Sequence, residues 1–94
     1  MMAITNDPAL LRALCKSIGR NIGMARTRAD LSRADLARHL ECSISAVAMW
    51  ERGERFPQVS DLYAMSALFK QRVHDLLPPD MTHSSPKRIA DIID

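Results

Sequence analysis

Residues Leu31 to Gly53 read LSRADLARHLECSISAVAMWERG, and this stretch decides the fold. Ser32 is a suitable N-terminal cap for a helix, and Asp35, three residues later, completes a capping-box pattern. Leu36 and Leu40 then fall on one face of that helix, together with the neighbouring alanine. The first half of the stretch therefore predicts a short amphipathic helix.

The second half of the stretch predicts another short helix. Ser43 can cap it, and Val47 and Trp50 recur three residues apart on the side expected to be buried. Only about two residues, Glu41 and Cys42, separate the two helices. Helices joined so tightly cross at a steep angle, which is the geometry of a helix-turn-helix.

The stretch resembles the helix-turn-helix of the Cro/cI-type (XRE-type) DNA-binding family. The resemblance continues on both sides of the motif and spans roughly residues 18–77. It is carried by Ile18-Gly19, Ile22, Arg26, Leu31-Ser32, Leu36-Ala37, Ser43, Val47, Glu51-Arg52-Gly53, Pro57, Leu62, Ala67-Leu68-Phe69 and Leu76-Leu77. It implies an all-α fold, a compact five-helix lambda-repressor-like DNA-binding domain.

The chain is predicted to have three parts. Residues 1–17 form an N-terminal helical extension, residues 18–77 form the helix-turn-helix domain with its motif at 32–51, and residues 78–94 form a linker and a short apolar C-terminal tail. Three isoleucines give the tail its apolar character: Ile89, Ile92 and Ile93. The tail is either a frayed end or a segment that docks on a second subunit.

Caps and breakers predict the other helices. Asp7-Pro8 begins a long helix that runs to near Ala29. Its extension at residues 9–17 is either part of that helix, a separate short helix or an arm that reaches a partner subunit. Ser60 is the predicted cap of a fourth helix, and residues 73–77 form a last short one before two prolines.

Two turn positions depart from the family pattern. Asp30 and Glu41 stand where glycine is frequent in the family. Aspartate tolerates a left-handed backbone better than most residues, whereas glutamate has no such tendency. We therefore expect a changed turn or some stored strain at Glu41.

Composition limits the function classes. The net charge is +2, but residues 12–55 carry nine Lys or Arg against five Asp or Glu, which favours a polyanionic partner. The pair His39 and Cys42 makes a poor metal site, and no catalytic constellation or secretory signal is visible. Cys15 and Cys42 read as buried or half-buried thiols of a reducing compartment. We expect no enzyme, cofactor, metal or membrane contact, and a cytoplasmic location.

DNA binding needs groups that grip phosphates and a scaffold that holds them. The resemblance directs to the phosphates the helix N-termini at Ser32 and Ser43, together with Arg33. Arg52 and Arg55, after the second helix, fit the same role, and Arg28 adds to it from the end of the long helix. It also implies that Arg26 pairs with Glu51 and so ties the first helix to the recognition helix. Helix N-termini attract phosphate through their free N–H groups and positive dipole end.

The face expected to read bases has an unusual composition. By resemblance it comprises Ile44, Ser45, Ala46, Ala48 and Met49. The family often has Gln, Arg, Asn or Lys at several of these positions, since such side chains discriminate bases by paired hydrogen bonds. We expect Ser45 to contact a base edge, the apolar groups to contact thymine methyls, and DNA shape to supply much of the specificity.

The prediction is a small sequence-specific regulator of transcription. As a repressor it would bind a palindromic operator as a homodimer and block promoter access, without a small-molecule effector because the size leaves no room for a sensing domain. The alternative is a protein–protein interaction module that uses the same fold. A phage, plasmid or antitoxin-type setting is equally compatible with the sequence.

Overall fold

The computed structural model describes residues 7–78, and within them the chain forms five α-helices and no strand. The helices are α1 (Pro8–Arg28), α2 (Arg33–Leu40), α3 (Ile44–Arg52), α4 (Val59–Phe69) and α5 (Val73–Leu76). The predicted all-α, five-helix fold is confirmed. The isoleucine tail at residues 89–93 lies outside the described residues.

α1 is one continuous helix that includes the predicted N-terminal extension. The Asp7 side chain caps it and accepts a hydrogen bond from the Ala9 N–H at 2.9 Å. Proline at the first helical position has no N–H to leave unsatisfied and is set for helical φ. The alternative of a separate short helix is therefore wrong for residues 8–28.

α4 begins two residues earlier than Ser60 as its N-cap requires. Its N-cap is Gln58 rather than Ser60, which lies inside the first turn. The Asp61 carboxylate accepts the Gln58 backbone N–H at 3.0 Å. An acidic residue three positions into the helix thus satisfies the N-terminus without help from a serine hydroxyl.

The core lies where α1, α2, α3 and α4 meet. Ile22, Leu36, Val47 and Met65 are completely buried, one from each of these helices. Trp50 is 4% exposed and packs in the same cluster, as its helical spacing with Val47 predicts. Burying such side chains supplies about 1.5–3 kcal/mol each.

Between residues 7 and 78, three non-glycine residues have positive φ, and each lies at or just after the C-terminal end of a helix. Asp30 has φ 61° and Glu41 has φ 56°, so both expected glycine substitutes adopt the left-handed conformation. Lys70, with φ 59°, is a third such residue that the sequence did not indicate. Left-handed backbone costs about 1–2 kcal/mol for residues other than glycine, so the turns around α2 store some strain.

α3 approaches α1 closely because Gly19 has no side chain. A methyl group at Gly19 would overlap the Trp50 carbonyl oxygen and lie 2.8 Å from that of Glu51. On another face of α1, the Asn21 amide donates hydrogen bonds of 3.1 Å to the carbonyl oxygens of Leu76 and Leu77. α1 is thus the element on which both α3 and α5 are held.

Both cysteines are free thiols. Cys15 is buried in α1 and Cys42 is half-buried in the turn between α2 and α3. Burial raises the pKa of both thiols, which disfavours the reactive thiolate form. Among residues 7–78, no helix has both the length and the apolar composition to cross a membrane.

Candidate nucleic-acid interface

α2 and α3 present two capped N-termini. The Ser32 hydroxyl oxygen accepts the Asp35 N–H at 2.9 Å, and the Ser43 hydroxyl oxygen accepts the Ala46 N–H at 3.0 Å. Both serines are exposed, and each hydroxyl keeps its own proton for donation. Each N-terminus therefore combines a positive dipole end with a free O–H donor, which suits an anionic partner.

Asp35 completes the α2 capping box and predicts an acid-sensitive start of that helix. Hydrogen bonds from the Ser32 backbone and from the Arg38 guanidinium lower the pKa of Asp35 to about 2. The contribution of this carboxylate to stability is thus fully present above its ordinary value near 3.8 and is lost as the pH falls through about 2. We expect an NMR titration of the Asp35 carboxyl carbon to give a pKa of about 2, and the Arg38→Gln substitution to raise this pKa. A pKa near 3.8 in the wild-type protein would contradict the capping box.

The predicted base-reading face of α3 is only partly available. Ile44 is 53% exposed and Ser45 is also exposed, whereas Ala48 and Met49 are half-buried. Ala46 is 9% exposed and belongs to the core, so its assignment to the base-contacting set is corrected. It lies four residues before Trp50 and therefore on the buried stripe of the helix.

The Glu51 carboxylate joins three helices. Its Oε2 accepts the Arg26 Nε–H at 2.7 Å, and its Oε1 accepts from Arg26 Nη2 at 3.2 Å and from Arg33 Nε at 2.9 Å. Arg26 also donates Nη1–H to the Leu31 carbonyl at 2.8 Å. The structure thus brings the expected pair together and adds Arg33, which the sequence analysis assigned to phosphate alone.

The cluster keeps a positive charge in excess. Burial on its own would raise the pKa of Glu51, but hydrogen bonds from Arg26 and Arg33 outweigh it and hold the pKa below its usual range. The hydrogen bond to Glu51 raises the pKa of Arg26 above its already high value. One buried carboxylate therefore neutralises only one of the two guanidinium groups, so the cluster has a net charge of one positive unit. The side chain of Arg33 is 45% exposed, so part of this charge faces solvent.

The other predicted phosphate-binding arginines differ in their pairing. Arg52 donates from Nε and Nη2 to the two carboxylate oxygens of Glu54, at 2.9 and 3.0 Å. Arg28 and Arg55 are exposed, and within residues 7–78 neither forms an ion pair. The Glu54 carboxylate thus competes with DNA phosphate for the Arg52 guanidinium.

We expect Glu54→Gln to strengthen binding to duplex DNA of any sequence. The substitution removes a negative charge and frees the Arg52 guanidinium, so affinity rises several-fold at low salt and the salt dependence becomes steeper. Fluorescence anisotropy with a labelled duplex at several salt concentrations measures both. Asp75→Asn is the matched control, because it removes the same charge from an ion pair with Arg72 near α5. If both variants strengthen binding equally, the gain comes from the change in net charge and not from the release of Arg52.

A family model described as a helix-turn-helix domain matches residues 17–75 of the chain. The chain belongs to this helix-turn-helix family. The matched segment contains all of α2, α3 and α4 and the second half of α1, so the family assignment covers the interface residues described above. No curated protein sequence is similar enough to count as a match.

Solved structures share the fold of this helix-turn-helix protein. The DNA-binding domain of BldD is 25% identical over 70% of this chain and 96% of that chain, with a TM-score of 0.62. The restriction-modification controller protein C.AhdI from Aeromonas hydrophila is 22% identical over 67% of this chain and 96% of its own, with the same TM-score of 0.62. The family match and these folds together support a DNA-binding regulator of transcription.

An enzyme also contains this fold as a part. The hydroxypropylphosphonic acid epoxidase from S. wedmorenis is 22% identical over 72% of this chain, with a TM-score of 0.67. The helix-turn-helix chain spans only 36% of that enzyme. The likeness is therefore one of fold, and within residues 7–78 no group of three His, Cys, Asp or Glu side chains is arranged to hold a metal ion.

Sequence reasoning missed two contacts of this interface. The Arg33–Glu51 contact joins residues 18 positions apart, and no local pattern indicates it. The Arg52–Glu54 pair joins residues two positions apart around the α3 C-terminus, so opposite charges flanking Gly53 were a visible signal. Both contacts matter because they decide which arginines are free to meet an anion.

Proposed function

We propose that the protein is a sequence-specific double-stranded DNA-binding regulator, and that it acts as a repressor by covering its operator. The observation that carries the proposal is that the helix-turn-helix exposes both the first turn of α3 and, at the start of α2, the side chain of Arg33. An exposed helix start and a cation on the same helix pair suit a duplex, whose base edges and phosphates are presented together.

The proposed contacts fall into two groups. Phosphates are bound by the two helix N-termini, capped by Ser32 and Ser43, and by the basic side chains around them: Arg28, Arg33, Arg52 and Arg55. Bases are read by Ile44 and Ser45, with Ala48 and Met49 at the edge of the contact. Phosphate contacts fix the position of the protein on the duplex, and the few base contacts then leave much of the specificity to DNA shape.

Repression follows most simply from a homodimer on a palindromic operator. Two recognition helices would enter successive major grooves about 34 Å apart and occlude the promoter. No enzymatic activity, cofactor or small-molecule effector enters this proposal, and a DNA partner implies a cytoplasmic location. Sedimentation of the protein alone and with its selected duplex measures the oligomeric state directly.

One observation favours a second candidate function. Ile44 is 53% exposed at the start of α3, and an apolar residue there also suits a protein partner. In that case the same surface would bind a protein and DNA contact would be incidental. The two functions differ in their salt dependence, because only duplex binding through several phosphates weakens steeply with salt.

The test combines affinity with binding-site selection. We expect Arg33→Ala to weaken binding to every duplex and to reduce the salt slope by about one phosphate contact, whereas the control Arg72→Ala leaves the slope unchanged. We also expect Ser45→Ala and Met49→Ala to alter the consensus selected from a random duplex pool. If the affinity of the wild-type protein for duplex DNA does not change with salt, and the variants select the same consensus as the wild type, DNA is rejected as the partner.

A further inference from the structure

An open groove of about 600 Å³ has α1 as one of its walls. Its other wall is the start of α2 and the end of α3. The polar lining consists of Arg20, Arg26, Thr27, Arg28, Arg33 and Glu51. Gly19 and Gly23 form part of the groove wall.

The lining of the groove is strongly basic. It contains four arginines and one glutamate, a surplus of three positive charges in a chain whose net charge is +2. The one glutamate, Glu51, accepts hydrogen bonds from Arg26 and Arg33. Within residues 7–78, Arg20 and Arg28 form no ion pair, so the groove presents positive charge that the described protein does not compensate.

The shape of the groove favours an extended polyanion over a small one. It is an open trough, so a small anion lying in it would stay largely hydrated and gain little from the arginines. Arg20 and Arg28 are eight residues apart on α1, about 12 Å along the helix axis. That span corresponds to roughly three to four nucleotide steps of a DNA strand.

We propose that this groove binds a second run of DNA backbone phosphates, beyond those bound at the helix-turn-helix, with Arg20 as a phosphate-binding residue. The proposal rests on the proposed function and extends its footprint. Arg33 is the connecting residue, because it lies both at the N-terminus of α2 and in the lining of the groove. A strand that passes Arg33 continues along α1 and meets Arg28 and Arg20.

The experiment compares Arg20→Ala with Arg12→Ala in the full chain. Arg12 is an exposed arginine of the same helix that does not line the groove, so it matches the change in charge and helix propensity. Affinity for a labelled random-sequence duplex of 30 base pairs (about three helical turns) is measured at 50 and 200 mM salt. One lost phosphate contact reduces the ratio of these two affinities by about 3.5-fold.

We expect that reduction for Arg20→Ala and none for Arg12→Ala, with circular dichroism unchanged in both. If Arg33→Ala flattens the salt dependence while Arg20→Ala behaves like Arg12→Ala, the groove proposal is overturned and the proposed function stands. If Arg33→Ala also has no effect, the proposed function itself fails. Tight binding of inorganic triphosphate that Arg20→Ala abolishes would assign the groove to a small anion and overturn the DNA assignment.

Discussion

Replacing Arg26 with methionine is expected to lower the free energy of unfolding by about 3 kcal/mol. The Glu51 side chain is only 6% exposed, and without Arg26 its carboxylate keeps a single partner, Arg33, whose side chain is 45% exposed. The Leu31 carbonyl loses its hydrogen bond as well. A buried carboxylate with incomplete pairing is costly, and urea denaturation monitored by circular dichroism measures the loss.

Two further variants separate the buried cluster from surface charge. Arg52→Met breaks an ion pair whose side chains are both 54% exposed, and we expect no measurable change in stability. The double variant Arg26→Met, Glu51→Met removes both partners of the buried pair, and we expect it to recover part of the loss. If the Arg26→Met and Arg52→Met variants have the same free energy of unfolding, the cluster of Arg26, Arg33 and Glu51 does not hold α1 to α3.

Acidification should weaken the same cluster. The pKa of Glu51 is lower in the folded protein than its ordinary value near 4.5, so the unfolded chain takes up a proton first. The stabilisation from this carboxylate is therefore complete above that value and is lost as the pH falls through the lower, folded pKa. The Glu51→Met background should lack this part of the pH dependence.

Replacing Gly19 with alanine is expected to destabilise the protein by about 2–3 kcal/mol. Alanine favours a helix over glycine by about 1 kcal/mol, but here the added methyl overlaps the Trp50 carbonyl oxygen. Because the obstacle is backbone of α3 and not the end of a flexible side chain, α3 must shift away from α1. Thermal denaturation measures the stability, and the amide NMR shifts of α3 report the displacement.

Gly23→Ala is the matched control in the same helix. A methyl group at Gly23 lies 3.5 Å from the nearest Glu51 oxygen, which is ordinary van der Waals contact. We expect the helix preference to dominate and the protein to become more stable by up to about 1 kcal/mol. Equal destabilisation by both substitutions would show that the glycines act through something other than the approach of α3.

Local signals were sufficient to predict most of the helices. The Asp7-Pro8 start of α1, the Ser32 capping box and the Ser43 cap each involve residues within three positions of one another. Such patterns can be recognised in a sequence because the interacting residues are close in the chain and the helix geometry fixes their positions. Trp50 was assigned to the core for the same reason, by its spacing from Val47.

Contacts across the fold explain what sequence reasoning missed. Arg33 looked like a free phosphate ligand because Glu51 is distant in the chain, and only the crossing of α2 over the end of α3 brings them together. The resemblance places Ala46 on the exposed face, and a side chain this small carries little information of its own about burial. Ser60 was a plausible cap, but Asp61 supplied the stronger, charged acceptor one residue later.

The central claim is that the start of α3 and the N-terminus of α2 bind a duplex together. The most direct measurement is an amide NMR titration of the full chain with duplex DNA, selected from a random pool, at moderate salt. We predict the largest shifts at Arg33, Ile44 and Ser45, and little change at Val59 and Tyr63, two exposed apolar residues of α4. Shifts confined to Val59 and Tyr63, with the α3 start unchanged, would contradict the account.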